Sequence, residues 1–586
     1  MNTQFRHTFS RAVRYGLIGG VVAIFLCLVG IVEIFDKRNL IEGLISLGQI
    51  MLFLPLLATG YMTVQSTSEQ AQKGKLWLLL AGILSGLLAG GILTGFMLIG
   101  NLINIRAMFI HASPTLYEML TFGRGQAGAW LLPLVGALLG AIGALIRLLP
   151  SRIQKPVMSS FMGILLVGLF AGLVRPLLIA RTGSTERVGR FLFSETGLTQ
   201  AGALIAFVVI GGVVVAWSSR GKALQASVRR LPPARQKALR YVFFGMALIL
   251  ALALPQFSGP FIAQVIVLIS LNILMGLGLN ITLGFAGLLD LGFVAFFAMG
   301  AYTVGLLTSY GEFGLAHLSF WAVVPIAIVV AFMVGAFLGL PVLGMRGDYL
   351  AIATLGFGEI VRLLAGSDFL GKWLGGPQGV IGIQKPCLGF LGPFMGVGIP
   401  RVCNGWELGG PKEIYYLAVI CALLVAFIAT RLRDSRLGRA WMAIREDEDV
   451  AEALGVNLIQ TKLLAYMLGA SFAGLSGAIF GTLVGSIFAS SMVLMVSINV
   501  VCLIIVGGMG SIPGVIVGAI ALIGLPEAFR EFSEYRFLFY GAALIVMMLA
   551  KPGGLWPSSI VQRELHVDGK IEPGPKSVST TSTSAK

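Results

Sequence analysis

The sequence predicts an all-α polytopic membrane protein with about sixteen transmembrane or re-entrant helices, about ten of them forming a C-terminal core. Three observations carry this. Of 586 residues, 57% are hydrophobic and only 12% are charged, about half the charged share of an average soluble domain. Apolar runs of roughly 20 residues, the length that crosses a ~30 Å hydrocarbon core as a helix, recur along nearly the whole chain. Polar residues collect in the connections between these runs, as expected where helices satisfy their own backbone groups in lipid.

Taken in order, the first apolar runs fall at 15–35, 40–64, 76–103, 126–146, 157–180 and 199–218. They define a membrane extension of about six helices over 1–218. The first run is followed by further spans and by no small-residue cleavage site, so it is expected to be a transmembrane helix and not a cleaved signal peptide. Residues 219–240 contain "RGKALQASVRRLPPARQKALR", with seven basic residues, no acidic one and a Pro-Pro pair. This basic linker is the clearest boundary in the chain. Beyond it, 241–557 carries runs at 241–257, 261–281, 284–310, 318–343, 349–365, 414–431, 463–485, 492–507, 513–526 and 537–550. A Gly- and Pro-rich loop occupies 366–413, and a charged one occupies 432–462. The tail, 558–586, ends "SVSTTSTSAK" and is predicted to be disordered.

Placing the basic linker in the cytoplasm puts 435–457 there as well and 366–413 outside. It leaves more Lys and Arg in the inner loops than in the outer ones, as the positive-inside bias requires. Both termini then face the cytoplasm of a multi-pass inner-membrane protein. The net charge of +16 is spread over short loops, which argues against nucleic-acid binding. Cys27, Cys421 and Cys502 lie in apolar runs; Cys387 and Cys403 share the outer loop, where a disulfide and two free thiols both fit the spacing. The four histidines are scattered, so no metal site is expected, and no cofactor motif is present. With no G-x-x-x-x-G-K-[ST] loop and no catalytic arrangement of carboxylates or Ser/His/Asp, the chain is not expected to be an enzyme. Uphill transport would draw on an ion gradient or on another subunit.

Four stretches carry the chemistry. In "SRLGRAWMAIREDEDVAEALGVN", residues 435–457, eight residues are charged. Ser435 is a candidate N-cap, and Leu437, Ala440, Trp441 and Ile444 make an apolar face with Arg436, Arg439 and Arg445 outside it. The cluster Glu446 to Asp449 suits the start of a second helix, with Val450, Ala451 and Leu454 as its apolar face and Gly455 closing it in the left-handed conformation. Two short amphipathic helices at a bend make either a docking knob or a solvated interfacial loop. In "LNITLGFAGLLDLGFVAFFAMGAY", residues 279–302, Gly284, Gly287 and Gly292 weaken the helix and Asp290 sits six residues in, about 9 Å deep. A carboxylate there costs roughly 2.5–3.5 kcal/mol on insertion scales, so Asp290 is expected to face protein or water, as an ion or solute contact or as an interhelical hydrogen-bond partner. In "GMRGDYLAIATLGFGEIVRLL", residues 344–364, Arg346 and Asp348 make a cytoplasmic turn, and Glu359 and Arg362 can pair on one helix face. Thr354, Gly356 and Gly358 are small enough to line a path or to let helices pack closely. Finally, "IIVGGMGSIPG", residues 504–514, reads as a re-entrant hairpin or a tight turn.

The motifs "GFAGLLDLGFVAFFAMGAY", "MRGDYLAIATLGFGEIVR", "GGPQGVIGI", "LGRAWMAIREDEDVAEALGVN", "SFAGLSGAIFG" and "IVGGMGSIPG" occur in this order. Together they resemble the permease of a bacterial ABC importer for branched-chain amino acids, the LivM type, over about Tyr241 to Pro557. The resemblance implies a homologous second permease, two cytoplasmic ATPase subunits, a periplasmic substrate-binding protein, and leucine, isoleucine or valine as solute. It also implies that the charged loop contacts the ATPase through Arg436, Arg439, Trp441, Arg445, Glu446, Glu452 and Gly455, although "EALG" at Glu452 to Gly455 departs from the E-A-A-x-x-x-G form of many importers. The translocation path is expected along Gly284, Gly287, Asp290, Gly292, Thr354 and Glu359. The first 240 residues resemble nothing specific. Urea and short-chain amide permeases share the pattern, and Asp290 and Glu359 also suit an ion-coupled secondary transporter.

Overall fold

The computed structural model describes residues 2–36, 38–64, 75–169, 184–195, 197–217, 260–342, 344, 348–388 and 406–528, with isolated positions between 171 and 256 and between 541 and 557. Most of the basic linker, the runs at 241–257 and 537–550, the tail, Arg346 and Cys403 lie outside the described residues. Among those described, nine helices are long and apolar enough to cross a membrane, and five shorter apolar helices accompany them. The chain divides into two compact units that separate near residue 250.

In the first unit, Leu47–Thr63, Lys75–Leu102 and Leu131–Leu148 pack backbone to backbone through glycines. A Cβ at Gly60 would lie 1.9 Å from the Gly140 carbonyl oxygen, and one at Gly86 2.0 Å from that of Gly136. Lipid tails are as apolar as leucine, so membrane helices gain from such close approach where hydrophobic burial offers little. The expected 40–64 helix starts late. Asn39–Ile41 and Ile45–Ser46 pair as a small antiparallel hairpin first. Ser46 Oγ then accepts the Gln49 N–H while Gln49 Oε1 accepts the Ser46 N–H, each at 3.1 Å, a capping box that fixes the helix start at Leu47.

The second unit is built around Leu458–Val484, the most deeply buried of the described candidate spans. "SFAGLSGAIFG" supplies its small faces. A Cβ at Gly300, on Val294–Thr308, would lie 1.9 Å from the Gly474 carbonyl oxygen, and one at Gly477 1.9 Å from that of Phe297. On the other side, Ser476 Oγ donates to the Leu271 carbonyl at 2.9 Å, tying in Pro260–Leu279. Phe320–Val342 covers a further flank. Val329, Met333 and Phe337 of this helix, four residues apart, are 58%, 62% and 74% exposed, an apolar stripe of the kind that meets acyl chains.

Short strands close one end of this unit: Val380–Ile381 pairs antiparallel with Ser486–Ile487, and Cys387–Leu388 with Trp406–Glu407. Cys387 is disulfide-bonded, whereas Cys27, Cys421 and Cys502 form no disulfide. Residues 504–514 form a tight turn joining Leu494–Gly507 to Ile512–Ala519, with Gly508 and Gly510 at φ +121° and +74° and Ser511 Oγ capping the second helix through the Gly514 N–H at 3.1 Å.

Candidate translocation and coupling site

The run at 284–310 is not one helix, which corrects the sequence expectation. Pro260–Leu279 widens into a π-helical turn over Asn280–Phe285, the chain then leaves helical geometry, and a new helix begins at Val294. Gly287 takes φ +74°, a left-handed position suited to glycine. The N–H groups released by the break find other partners. Leu288 N–H reaches back to the Thr282 carbonyl at 2.9 Å, and Leu291 N–H donates to Thr354 Oγ1 at 3.0 Å. Gly292 N–H donates to Asp290 Oδ1 at 2.8 Å, and Val294 N–H donates to Ser497 Oγ at 2.9 Å. Irregular backbone at membrane depth is stable only when protein or water satisfies it, and here three side chains do so.

Asp290 therefore sits in this break and not on a helix face. It is 1% exposed, enclosed by protein as its charge requires. Thr354 and Tyr466 face its carboxyl group, yet neither Asp290 Oδ2 nor the Tyr466 hydroxyl has a well-aligned hydrogen-bond partner. Gly292 lies against the helix Asp348–Gly366, where a Cβ would fall 2.0 Å from the Thr354 carbonyl oxygen.

The charged stretch forms two short helices, Arg436–Glu446 and Glu448–Ala453. Ser435 Oγ caps the first through Gly438 N–H at 3.3 Å, and Asp447 caps the second through Val450 N–H at 3.0 Å. Gly455 ends the pair at φ +85°, and Asn457 caps the long helix that follows through Gln460 N–H at 3.0 Å. The pair is fastened to that helix at two points. Trp441 Nε1 donates to the Thr461 carbonyl at 2.8 Å, and Lys462 Nζ, on a side chain only 5% exposed, pairs with Glu448 Oε2 at 2.7 Å. Arg445 reaches the broken helix itself, where its Nη1 donates to the Gly284 carbonyl at 2.7 Å.

This broken, glycine-bearing helix joined to a charged helical pair lies within residues 261–549, the segment that matches the family model described as branched-chain amino acid transport system, permease component. The LivM permease protein of the high-affinity branched-chain amino acid transport system of Escherichia coli K12 is 34% identical over 382 residues, covering 60% of this chain and 87% of the relative. The chain belongs to the branched-chain amino acid transport permease family. LivM of Salmonella typhimurium is likewise 34% identical, over 57% of this chain and 79% of its own. LivH of Escherichia coli K12 is 28% identical over 171 residues, 27% of this chain and 55% of the relative. No solved structure matches the permease.

Among the residues expected to contact an ATPase, Arg436, Arg439, Arg445, Glu446, Glu452 and Gly455 are exposed. Trp441 is not. It is fully buried and held by the Thr461 carbonyl, so it anchors the helical pair from inside and is closed to a partner. The first apolar face holds at Trp441 and Ile444, both buried, but both faces are otherwise rotated from expectation. Gly438, packed against the Leu432 and Arg433 carbonyls, takes an inward position while Leu437 is 37% exposed. In the second helix Ala451 is buried, but Val450 and Leu454 are 54% and 78% exposed. Glu359 pairs with Arg362, whose Nε donates to both carboxyl oxygens at 3.0 Å. Sequence reasoning missed Asn280, Ser497, Tyr466 and Gly510. A polar residue inside an apolar run is a signal in its own right, and on that ground Asn280 was open to discovery.

Proposed function

We propose that this permease moves leucine, isoleucine or valine along a path past the broken helix, and that ATP hydrolysed by partner subunits drives it through the 435–457 segment. The observation that carries the reading is the Arg445–Gly284 hydrogen bond, which joins the two elements directly. Discontinuous helices suit a path because their unwound backbone offers polar groups at membrane depth. Gly284, Gly287 and Gly292 let the broken segment pack closely on Asn280, Arg445 and Thr354, Asp290 and Thr354 give it polarity, and Glu359 stands further along on the helix Asp348–Gly366. The exposed face of the helical pair mixes Arg436, Arg439, Glu446 and Glu452 with Val450 and Leu454, a composition suited to a protein partner. In this reading the assembly holds a homologous LivH-like permease, two cytoplasmic ATPases and a periplasmic binding protein. The chain sits in the inner membrane with both termini inside; 1–218 is the extension, 219–240 the linker and 241–557 the core. The loop 366–413 is extracytoplasmic and 432–462 couples to the ATPases.

Purification of the intact complex with mass-spectrometric identification of its subunits, followed by leucine uptake in vesicles, tests this. Uptake is expected to require ATP and the binding protein, and replacing Arg439 and Glu452 together is expected to abolish it and to reduce ATPase co-purification while sparing membrane insertion. Normal uptake by the double variant, or uptake by the isolated permease driven by a sodium or proton gradient, refutes the reading.

A further inference from the structure

We propose that Arg445 is the positioning residue that carries movement of the 436–446 helix into the path, with Asn280 as the second anchor of the same joint; the inference rests on the ATP-driven reading above. The break sets up its own acceptor. In a continuous helix Leu288 N–H would bond the Gly284 carbonyl, but here it bonds Thr282, and Arg445 Nη1 takes the Gly284 oxygen at 2.7 Å. Arg445 therefore holds a carbonyl that the helix has given up, which makes its contact specific to the broken form.

Three segments converge at this point. A Cβ on Gly287 would lie 3.1 Å from Arg445 Cγ, so the left-handed turn rests on the arginine stem. A Cβ on Gly510 would lie 3.3 Å from the Gly284 oxygen and 3.4 Å from Arg445 Nη1. Gly510 N–H donates to Asn280 Oδ1 at 2.9 Å, which fixes the π turn to the 508–511 turn beside Gly284. Asn280 is 1% exposed, whereas Arg445 stands at the surface of the helical pair.

The other end of the lever is stiff. Trp441 to Thr461 and Lys462 to Glu448 lock the helical pair to the start of Leu458–Val484, so a load on the exposed face is passed on and not absorbed. A coupling element needs a contact made in one access state and lost or changed in another. A charged hydrogen bond at the rim of the protein, onto a carbonyl freed by a break, meets that need: releasing it lets 280–287 rewind or shift.

The test uses the full complex in proteoliposomes with the binding protein, measuring ATP hydrolysis and leucine uptake in the same vesicles for wild type, Arg445→Gln, Arg445→Lys and Asn280→Leu. For Arg445→Gln and Asn280→Leu, uptake per ATP hydrolysed is expected to fall about tenfold, within the usual range of a coupling between two sites. Arg445→Lys, which keeps a cationic donor, should recover part of the loss. An unchanged uptake-to-ATP ratio in Arg445→Gln overturns the proposal, as does a parallel fall of assembly, hydrolysis and uptake, which marks a merely structural contact. Wild-type uptake without any ATPase in the vesicles would instead overturn the ATP-driven reading itself.

Discussion

The placement of Trp441 can be tested against the role its sequence position suggests. A tryptophan buries about 150–250 Å², and at ~25 cal/mol/Å² full burial of Trp441 sets an upper bound near 4–6 kcal/mol on its apolar contribution. Large-to-small replacement of such a residue typically costs about 3–5 kcal/mol. Trp441→Phe keeps most of the contact and loses the 2.8 Å bond to the Thr461 carbonyl, worth about 1 kcal/mol. Trp441 is one of the two points that fasten the helical pair to the long helix, so the loss should appear as local opening of 436–453. Hydrogen exchange of these amides in the assembled complex reads it. With tenfold per ~1.4 kcal/mol, Trp441→Ala should raise exchange at least ~100-fold and Trp441→Phe about fivefold. Unchanged exchange in Trp441→Ala, with ATPase binding lost, would mean that the indole meets the partner directly and that its inward placement is wrong.

Two further outcomes follow from the packing. Gly300→Ala places a methyl group 1.9 Å from the Gly474 carbonyl oxygen and should cost about 1–3 kcal/mol as overpacking, seen as a lower thermal midpoint. Gly91→Ala, where a Cβ meets nothing within 4 Å, should raise the midpoint slightly through helix propensity, and equal shifts in the two variants would refute the close-packing account. Asp290→Asn keeps an oxygen for the Gly292 N–H and should leave stability within ~1 kcal/mol of wild type, because no well-aligned partner depends on Oδ2. Leucine uptake should fall severalfold if the charge serves the path, and wild-type uptake in a stable Asp290→Asn complex would remove that charge from the mechanism.

Hydropathy made the helical class legible because span length is fixed by the bilayer and not by any neighbour. Local chemistry made the caps legible for a similar reason. Ser435 and Gly455 act within four residues of themselves, and both hold the positions that their side-chain types favour. The enclosure of Asp290 was legible from cost alone, since a membrane carboxylate must find protein or water. The break around it was not, because "GFAGLLDLGFVAFFAMGAY" is as apolar as a continuous span and its glycines serve a break and a close packing equally. What decides between them is where the released N–H groups go. They go to Thr354 and Ser497, 63 and 203 residues from their donors, and no local pattern carries that.

The rotated faces of the helical pair have the same origin. Amphipathic spacing ranks residues by polarity, whereas the buried side is set by the geometry of attachment, here an indole N–H reaching a carbonyl 20 residues on. Gly438 is inside because it is small enough to pass the Leu432 and Arg433 carbonyls, and Leu437 is displaced outward as a consequence. Arg445 shows the limit most sharply. By composition it belongs to a solvated charged face, and it is indeed exposed, yet one nitrogen of its guanidinium closes a hydrogen bond on the broken helix. Exposure averaged over a long side chain says little about where its head is bound. In a membrane protein that bound head, at the border between a charged loop and an irregular span, is where force on the loop can act on the path.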